Sequence, residues 1–300
     1  MQLDYEYLSR IRRAVALYTQ RKTSNILDGD FHSIHKGRSM EFDDLKEYVF
    51  GDDVHDIDWK SSSRMGTILV REYMTDRRHN VMFIGDCGSK MMGDTPSGES
   101  KANIALMLFG TIAYVTGRNG ADYALSYPKQ TGGIASSIFR SGPDHLEKLL
   151  YTYGADITKN PRNDLNQTIK EVMSMVRKKM IVFLITDIEG LATLDEGVLR
   201  GVTEENDLLI FHIDDAMLTG DNVYDVEKSG YERSFFSHDR ALRKAEIMER
   251  DRIIRRAADI CRRNKIGLTT IVSEEEIIGA TIDLLERYRH GYYGYITRSV

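Results

Sequence analysis

The spacing of apolar positions changes several times along this chain, and each change marks an element. Leu8, Ile11, Val15 and Tyr18 recur at helical spacing and predict a helix over residues 3–20. Phe42, Leu45, Tyr48 and Val49 recur at spacings of three and four and predict a short second helix, stopped by the turn chemistry of Gly51-Asp52-Asp53. Ile57 and Trp59 alternate with acids, as on a half-buried extended segment, and Ile68, Val70 and Tyr73 predict a strand over 67–73. From about residue 80 the pattern becomes regular. Apolar runs at 81–85, 123–127, 180–186, 208–213 and 268–272 predict buried strands, and 131–136 predicts a short edge strand. Helical stripes lie between them, led by Ile104, Leu108 and Ile112, then by Leu146, Leu149 and Tyr153, then by Leu165, Ile169 and Val172. Residues 222–226 and 231–236 flank Lys228-Ser229-Gly230 and predict a hairpin, followed by a long charged helix with Ile253, Ala257, Ile260 and Cys261 inward. Asp144-x-x-Glu147 and Ser273-x-x-Glu276 have the form of capping boxes, Asn163 that of an N-cap, and Gly154 that of a helix end.

Alternating strands and helices predict an α/β fold: a doubly wound, mostly parallel sheet with helices on both faces, an N-terminal extension and an inserted hairpin. The expected division is 1–79, an N-terminal helix and a signature segment packed on the sheet domain, and 80–300, the sheet domain itself, the two forming one structural unit.

Composition narrows the function. The 41 Lys and Arg against 46 Asp and Glu give a formal net charge of −5, which argues against nucleic acid as the main partner. Cys87 and Cys261 lie far apart and form neither a disulfide framework nor a metal knuckle. No apolar run approaches the roughly 20 residues that span a bilayer. Asp4 and Glu6 open the chain with no apolar signal stretch behind them, so the expectation is a cytoplasmic protein without a membrane span. Arg10, Arg12, Arg13, Arg21 and Lys22 make the first helix basic, and a solvated face explains this more simply than an anionic docking site.

The segment 41–72 carries a resemblance. It contains Glu41-Phe42-x-x-Leu45-x-x-Tyr48, then Gly51-Asp52-Asp53, Ile57-Asp58-Trp59-Lys60, and Arg64 followed by Val70-x-Glu72. This order resembles the signature of the domain-of-unknown-function-58 family, whose members are similar to von Willebrand factor A domains and often accompany MoxR-type AAA+ ATPases. His55 departs from the pattern, since family members usually carry arginine there. The family has no established catalytic activity. The resemblance therefore implies a von Willebrand factor A-type sheet and a non-enzymatic interaction module, an adaptor or partner of a MoxR-type AAA+ ATPase. Phe42, Tyr48, Ile57 and the lone tryptophan Trp59 are expected to be buried against the sheet domain, with Asp58 paired to Arg64 or Lys60.

In open parallel sheets ligands bind beyond the carboxyl ends of the strands, at the switch point in strand order, and Asp86 and Asp187 each follow a predicted strand. The resemblance implies a Mg²⁺ site here, since A domains use Asp-x-Ser-x-Ser, a threonine on a second loop and an aspartate on a third. The first loop instead reads Asp86-Cys87-Gly88-Ser89-Lys90, so Gly88 and Lys90 take the serine places. Asn163 falls nearest the threonine, and Ser89 lies between the expected positions. Asp86 and Asp187 remain as ligands, with Ser89 and Asn163 as lesser ones. A lysine ammonium about 4 Å from a cation repels it by roughly 4 kcal/mol at an effective dielectric near 20, about a thousandfold in affinity. The expectation is an Asp86–Lys90–Asp187 ion cluster with no cofactor, Mg²⁺ being the single one the resemblance raises.

A rival reading is a divalent-metal phosphohydrolase using Asp86, Asp187 and the acids of 51–58. Those acids are more simply turn caps and salt bridges. No nucleophile elbow or phosphate-binding loop is present, and Ser61–Ser63 has no recognisable His and Asp arrangement. No catalytic residue is therefore assigned. A metal on His32, His35 and His55 is the weaker reading, because a loop fixes no geometry. Cys87 reads as a small core residue and the aromatic stretch 291–296 as a packed terminus.

Overall fold

The computed structural model describes residues 9–13, 42–49, 54, 57–73, 80–159, 164–219, 223–225, 230–232 and 239–294. The chain divides into two compact units, Phe31–Arg78 on one hand, Met1–Asp30 with His79–Val300 on the other. The N-terminal helix thus goes with the sheet and not with the signature segment. Of it, residues 9–13 are described as helical, Ile11 is fully buried, and a side chain on Gly110 would strike the Ile11 methyl.

In the larger unit six strands form one sheet. They are β3 (Asn80–Gly85), β4 (Asp122–Pro128), β5 (Ile134–Ser136), β6 (Ile181–Thr186), β7 (Asp207–Ile213) and β10 (Gly267–Ile271), in the order β10-β7-β6-β3-β4-β5. All pairs are parallel except β4 with β5, where the short edge strand runs antiparallel. Taken in chain order the strands lie 3-2-1-4-5-6, the doubly wound arrangement, and order reverses between β3 and β6.

Runs such as Ile181 to Ile185 are apolar at every position because both faces of the sheet are covered. One face takes α4 (Leu165–Met175), α5 (Ile188–Thr193), α6 (Glu196–Thr203) and α7 (Arg240–Arg263) around Met82, Val182, Leu184 and Ile210. On the other, α2 (Lys101–Arg118) lies against β3 and β7, beside α3 (Pro143–Asp156) and α8 (Ile277–Arg289). There Phe109 meets Phe83 edge-on at 5.0 Å, and Phe83 stacks on Phe183 at 5.3 Å. Such pairs add about 0.5–1.5 kcal/mol each beyond the area they bury.

Local signals were less reliable than the alternation. Helix α3 starts at Pro143 after Gly142, with no side-chain cap, so Asp144 lies in the first turn and forms no box. Proline suits that first position because its missing N–H has no helical partner to lose. The helix also runs past Gly154 to Asp156. Asp164 caps α4 through the N–H groups of Asn166 and Gln167, and Asn163 lies outside the described residues. A 3₁₀ turn, Glu274–Glu276, precedes α8, and Ser273 makes no side-chain cap. The expected hairpin forms as β8 (Val223–Asp225) against β9 (Gly230–Glu232). The tail folds back: Gly294 N donates to Ile266 O at 3.0 Å, and Tyr293 meets Tyr288 edge-on.

The smaller unit corrects two expectations. Residues 42–47 are not helical but form strand β1 (Phe42–Glu47), antiparallel to β2 (Leu69–Tyr73). A register shift between Phe42 and Asp44 breaks the period of two, and long-range pairing overrides the remaining helix-like spacing. Trp59 is neither extended nor buried. It opens α1 (Trp59–Met65) with 66% of its surface exposed. Asp58 caps this helix by accepting from Ser61 N at 3.0 Å, and Gly66 ends it at φ 76°. The inward position is Ser62, whose hydroxyl donates to Asp58 O and accepts from Leu69 N. Ile57 is buried, as expected of the residue itself, and it bridges to Val70 of its own unit, while Tyr48 is half-buried and Arg64 exposed. Glu41, Gly51, Asp52, Asp53, the three histidines and the side chain of Phe42 lie outside the described residues.

Candidate functional site

The apolar runs of β3, β6 and β7 each end in an acid, and the sheet order makes these three strands neighbours. Asp86, Asp187 and Asp215 therefore converge at the carboxyl edge, at the switch point. Asp86 and Asp187 are almost wholly inaccessible to solvent. Isolated carboxylates buried this deeply would lose their charge, so their partners decide what the site is.

Lys90 rises from the 3₁₀ turn Ser89–Met92 and places its ammonium 2.7 Å from Asp86 Oδ2 and 3.6 Å from Asp187 Oδ1. This is the ion cluster the loop sequence predicts. A second lysine was not foreseen. Lys101, the first residue of α2 and only 3% exposed, donates to Asp187 Oδ2 at 3.0 Å and also bonds Asp215 Oδ1. The remaining carboxylate oxygens take uncharged donors. Thr186 Oγ1 donates to Asp86 Oδ2 at 2.6 Å, Cys87 N to Asp86 Oδ1, Gly190 N to Asp187 Oδ1 and Ile188 N to Asp215 Oδ2.

Burial pushes the Asp86 carboxyl up, against the pull of Lys90. It pushes Asp215 up as well, against Lys101. Burial also works on Asp187, but Lys101 and Lys90 outweigh it and hold that carboxyl below the usual range. Both lysines lose solvation, yet the facing aspartates raise them, so they stay charged.

The backbone is shaped to allow this packing. A Cβ on Gly190 would come within 1.8 Å of the Thr186 hydroxyl, the group that bonds Asp86. One on Gly85 would strike the ring of Tyr153, whose hydroxyl donates to Asp86 O at 2.8 Å. Gly88 has φ 116° and ψ 178°, a region open essentially to glycine alone. Beyond it the loop crosses the strand ends. Asp94 O accepts from Ala216 N after β7, and Ser97 Oγ donates to Val272 O after β10. Arg250 of α7 closes the edge, bonding Asp215 O and Ala216 O and lying 3.5 Å from Asp214.

A polar row runs beneath the acids. Thr186, His212 and Thr270 are register neighbours on β6, β7 and β10. His212 Nδ1 lies 3.2 Å from Thr270 Oγ1, while among the described residues Nε2 is buried with no hydrogen-bond partner. Burial pushes the imidazole down to about 4, with Arg250 and Lys101 adding to the shift and Asp214 and Asp187 opposing it.

The residues do not fit the Mg²⁺ site that the resemblance implies. Magnesium requires near-octahedral oxygens at about 2.0–2.1 Å. Here all six oxygens of Asp86, Asp187 and Asp215 already accept from N–H or O–H donors, and two ammonium groups occupy the space between the carboxylates. No hydrogen bond joins Ser89 to the network among the described residues, and no group of three or more His, Cys, Asp or Glu side chains is arranged there to hold a metal. Cys87 and Cys261 are buried and not joined in a disulfide, and burial pushes the Cys261 thiol up to about 12.

Sequence reasoning missed Lys101, Asp215 and Thr186. One signal was present: a lysine in the first turn of α2 faces the positive end of the helix dipole, which is unfavourable unless acids hold it.

The uncharacterized protein Rv1480 of Mycobacterium tuberculosis and the uncharacterized protein Mb1516 of Mycobacterium bovis are each 25% identical over 250 residues, covering 80% of this chain and 77% of theirs. Among solved structures, BatB from Bacteroides thetaiotaomicron is 12% identical with a TM-score of 0.45, covering 71% of this chain and 99% of that one. A von Willebrand factor type A protein from Catenulispora acidiphila is 8% identical with a TM-score of 0.37, covering 75% and 44%. The sheet order, with its antiparallel third strand, is that of the von Willebrand factor A fold. The model of the family described as "Protein of unknown function DUF58" matches residues 44–248, well over half of the chain, and the chain belongs to that family.

Proposed function

We propose that this chain is a non-enzymatic protein-interaction module, an adaptor or partner of a MoxR-type AAA+ ATPase, with a degenerate metal-ion-dependent adhesion site. One observation carries the reading. Each acid converging at the ligand-binding edge of the sheet is engaged by the chain's own lysines and N–H or O–H groups. A hydrolase would need a carboxylate free to take a proton, or a metal with an open position. Asp86 and Asp187, the residues of the rival phosphohydrolase reading, offer neither.

The family membership supports the ATPase as partner. The exposed apolar side chains of the signature unit, Trp59 and Met65 on α1 with Val49 and Ile68 nearby in the chain, suit an interface, since tryptophan is enriched among residues that dominate binding energy. Among the described residues no helix is long and apolar enough to cross a membrane. The proposal takes the chain to work in the cytoplasm, on a protein and not on nucleic acid.

The test is capture of a purified MoxR-type ATPase from the same genome by the full chain. The expected outcome is a complex that Trp59→Ala weakens without lowering the melting temperature. Failure to retain the ATPase, or metal-dependent turnover of phosphoesters that Asp187→Asn abolishes, would overturn the proposal.

A further inference from the structure

We infer that Lys90 and Lys101 take the place of a divalent cation at the sheet edge, so that this face holds its loops together without metal. The inference rests on the reading of the chain as a binding module and goes further, by naming the groups that do the cation's work.

Asp86, Asp187 and Asp215 follow three adjacent strands, and their mutual repulsion must be offset. The two ammonium groups offset it by alternation. In space the order is Asp86, Lys90, Asp187, Lys101, Asp215, with opposite charges at every step. Two ammonium groups carry the charge of one divalent ion, and each reaches two carboxylates, as a bridging ion does. Their geometry is their own. Lys90 Nζ lies 2.7 Å from Asp86 and Lys101 Nζ 3.0 Å from Asp187, distances set by N–H donors and too long for Mg²⁺.

Both cations are tethered, which gives them a high effective concentration at the site whatever the free metal in solution. Lys101 also comes from the first residue of α2, so the ion network fixes that helix to the ends of β6 and β7. Recognition of an acidic partner group by completing the shell of a bound metal has no counterpart in such a site.

The experiment is calorimetric titration and thermal melting of the full chain with Mg²⁺, Mn²⁺ and Ca²⁺, beside the Lys90→Ser/Lys101→Ser variant. For the unmodified chain we expect no saturable heat, and the same melting temperature in EDTA as in about 10 mM metal. The double variant should melt lower in EDTA and recover with metal, because three carboxylates then lack cations. Submillimolar binding by the unmodified chain overturns the inference, and so does a folded double variant indifferent to metal. If the double variant does not fold, Lys90→Ser is read in its place, and indifference to metal counts in the same way. ATPase capture, scored separately in EDTA, keeps the two ideas apart. Lost capture with no metal binding strikes the adaptor reading alone, whereas metal binding with capture retained strikes this inference and the degenerate site but leaves the adaptor reading standing.

Discussion

The two compact units treat their charged and bulky side chains in opposite ways. At the sheet edge, three aspartates and two lysines are matched to one another, with Asp86, Asp187 and Lys101 withdrawn from water and Lys90 and Asp215 half-buried. In the signature unit, the lone tryptophan and Met65 stand in solvent, while a serine holds the interior position. A buried charge pays its desolvation only if every partner is present, so the edge network should be intolerant of single changes. An exposed apolar side chain contributes little to folding and is free to serve binding. The difference separates residues kept for architecture from residues available for recognition.

Removing one member of the network should break this contrast most sharply. Lys101→Met leaves Asp215 without its ammonium and Asp187 with Lys90 alone, and breaking a buried pair in this way costs roughly 3–5 kcal/mol. Urea unfolding should show the loss, and adding Asp187→Asn and Asp215→Asn should recover part of it.

His212 gives the next largest effect, through pH. Its folded pKa of about 4 lies below the ordinary 6.5. Between those values the unfolded chain binds the extra proton, so stability is full above about pH 6.5 and falls as pH drops. The loss by pH 4 should approach roughly 3 kcal/mol at about 1.4 kcal/mol per pKa unit. Asp187, Asp214, Lys101 and Arg250 all act on the charge of the ring, so denaturation curves for His212→Gln, read against the parent, isolate its share as the part of the slope that disappears.

Gly190→Ala should cost about 1–3 kcal/mol, the usual range for overpacking, because its methyl meets the Thr186 hydroxyl. Thermal melting checks the value, and Thr186→Ala/Gly190→Ala should be less destabilised than the sum of the single changes if that clash is the cause. The smallest effect is expected at Trp59. Trp59→Ala on an exposed helix face should change stability by no more than about 0.5 kcal/mol. A soluble variant with an unchanged melting temperature would confirm the exposure, and an insoluble one would restore the expectation of a buried tryptophan.

Much of the sheet was legible because its strands are buried on both faces and carry their own signal. Ile181 to Ile185 can hardly be anything but a core strand or a buried helix, and its length decides between them. Asp86 and Asp187 were legible because strand ends at a switch point are where polar groups gather, and Lys90 because it stands four residues after Asp86. Lys101 was not. Its contacts reach across 86 and 114 residues, and no local pattern encodes such a meeting. Strand β1 was misread for a related reason: its identity comes from pairing with β2, beyond an intervening helix, and its register shift erased the alternation that would have shown it. Trp59 failed because hydrophobicity names a residue type that is often buried, whereas this one stands 66% exposed at the first position of α1.

Gly88 sets the order in which this loop can change. Repairing the metal motif would seem to require only a serine in its place, but φ 116° with ψ 178° excludes a side chain unless the backbone turns first. That strain is typically of order 1–3 kcal/mol, and it would arrive before any ligand had been gained, since Lys90 would still fill the space. Replacing Lys90 first would leave Asp86 without its cation. Each single step towards a metal site therefore lowers stability, and the lysine-held edge is kept as it is by the cost of every intermediate.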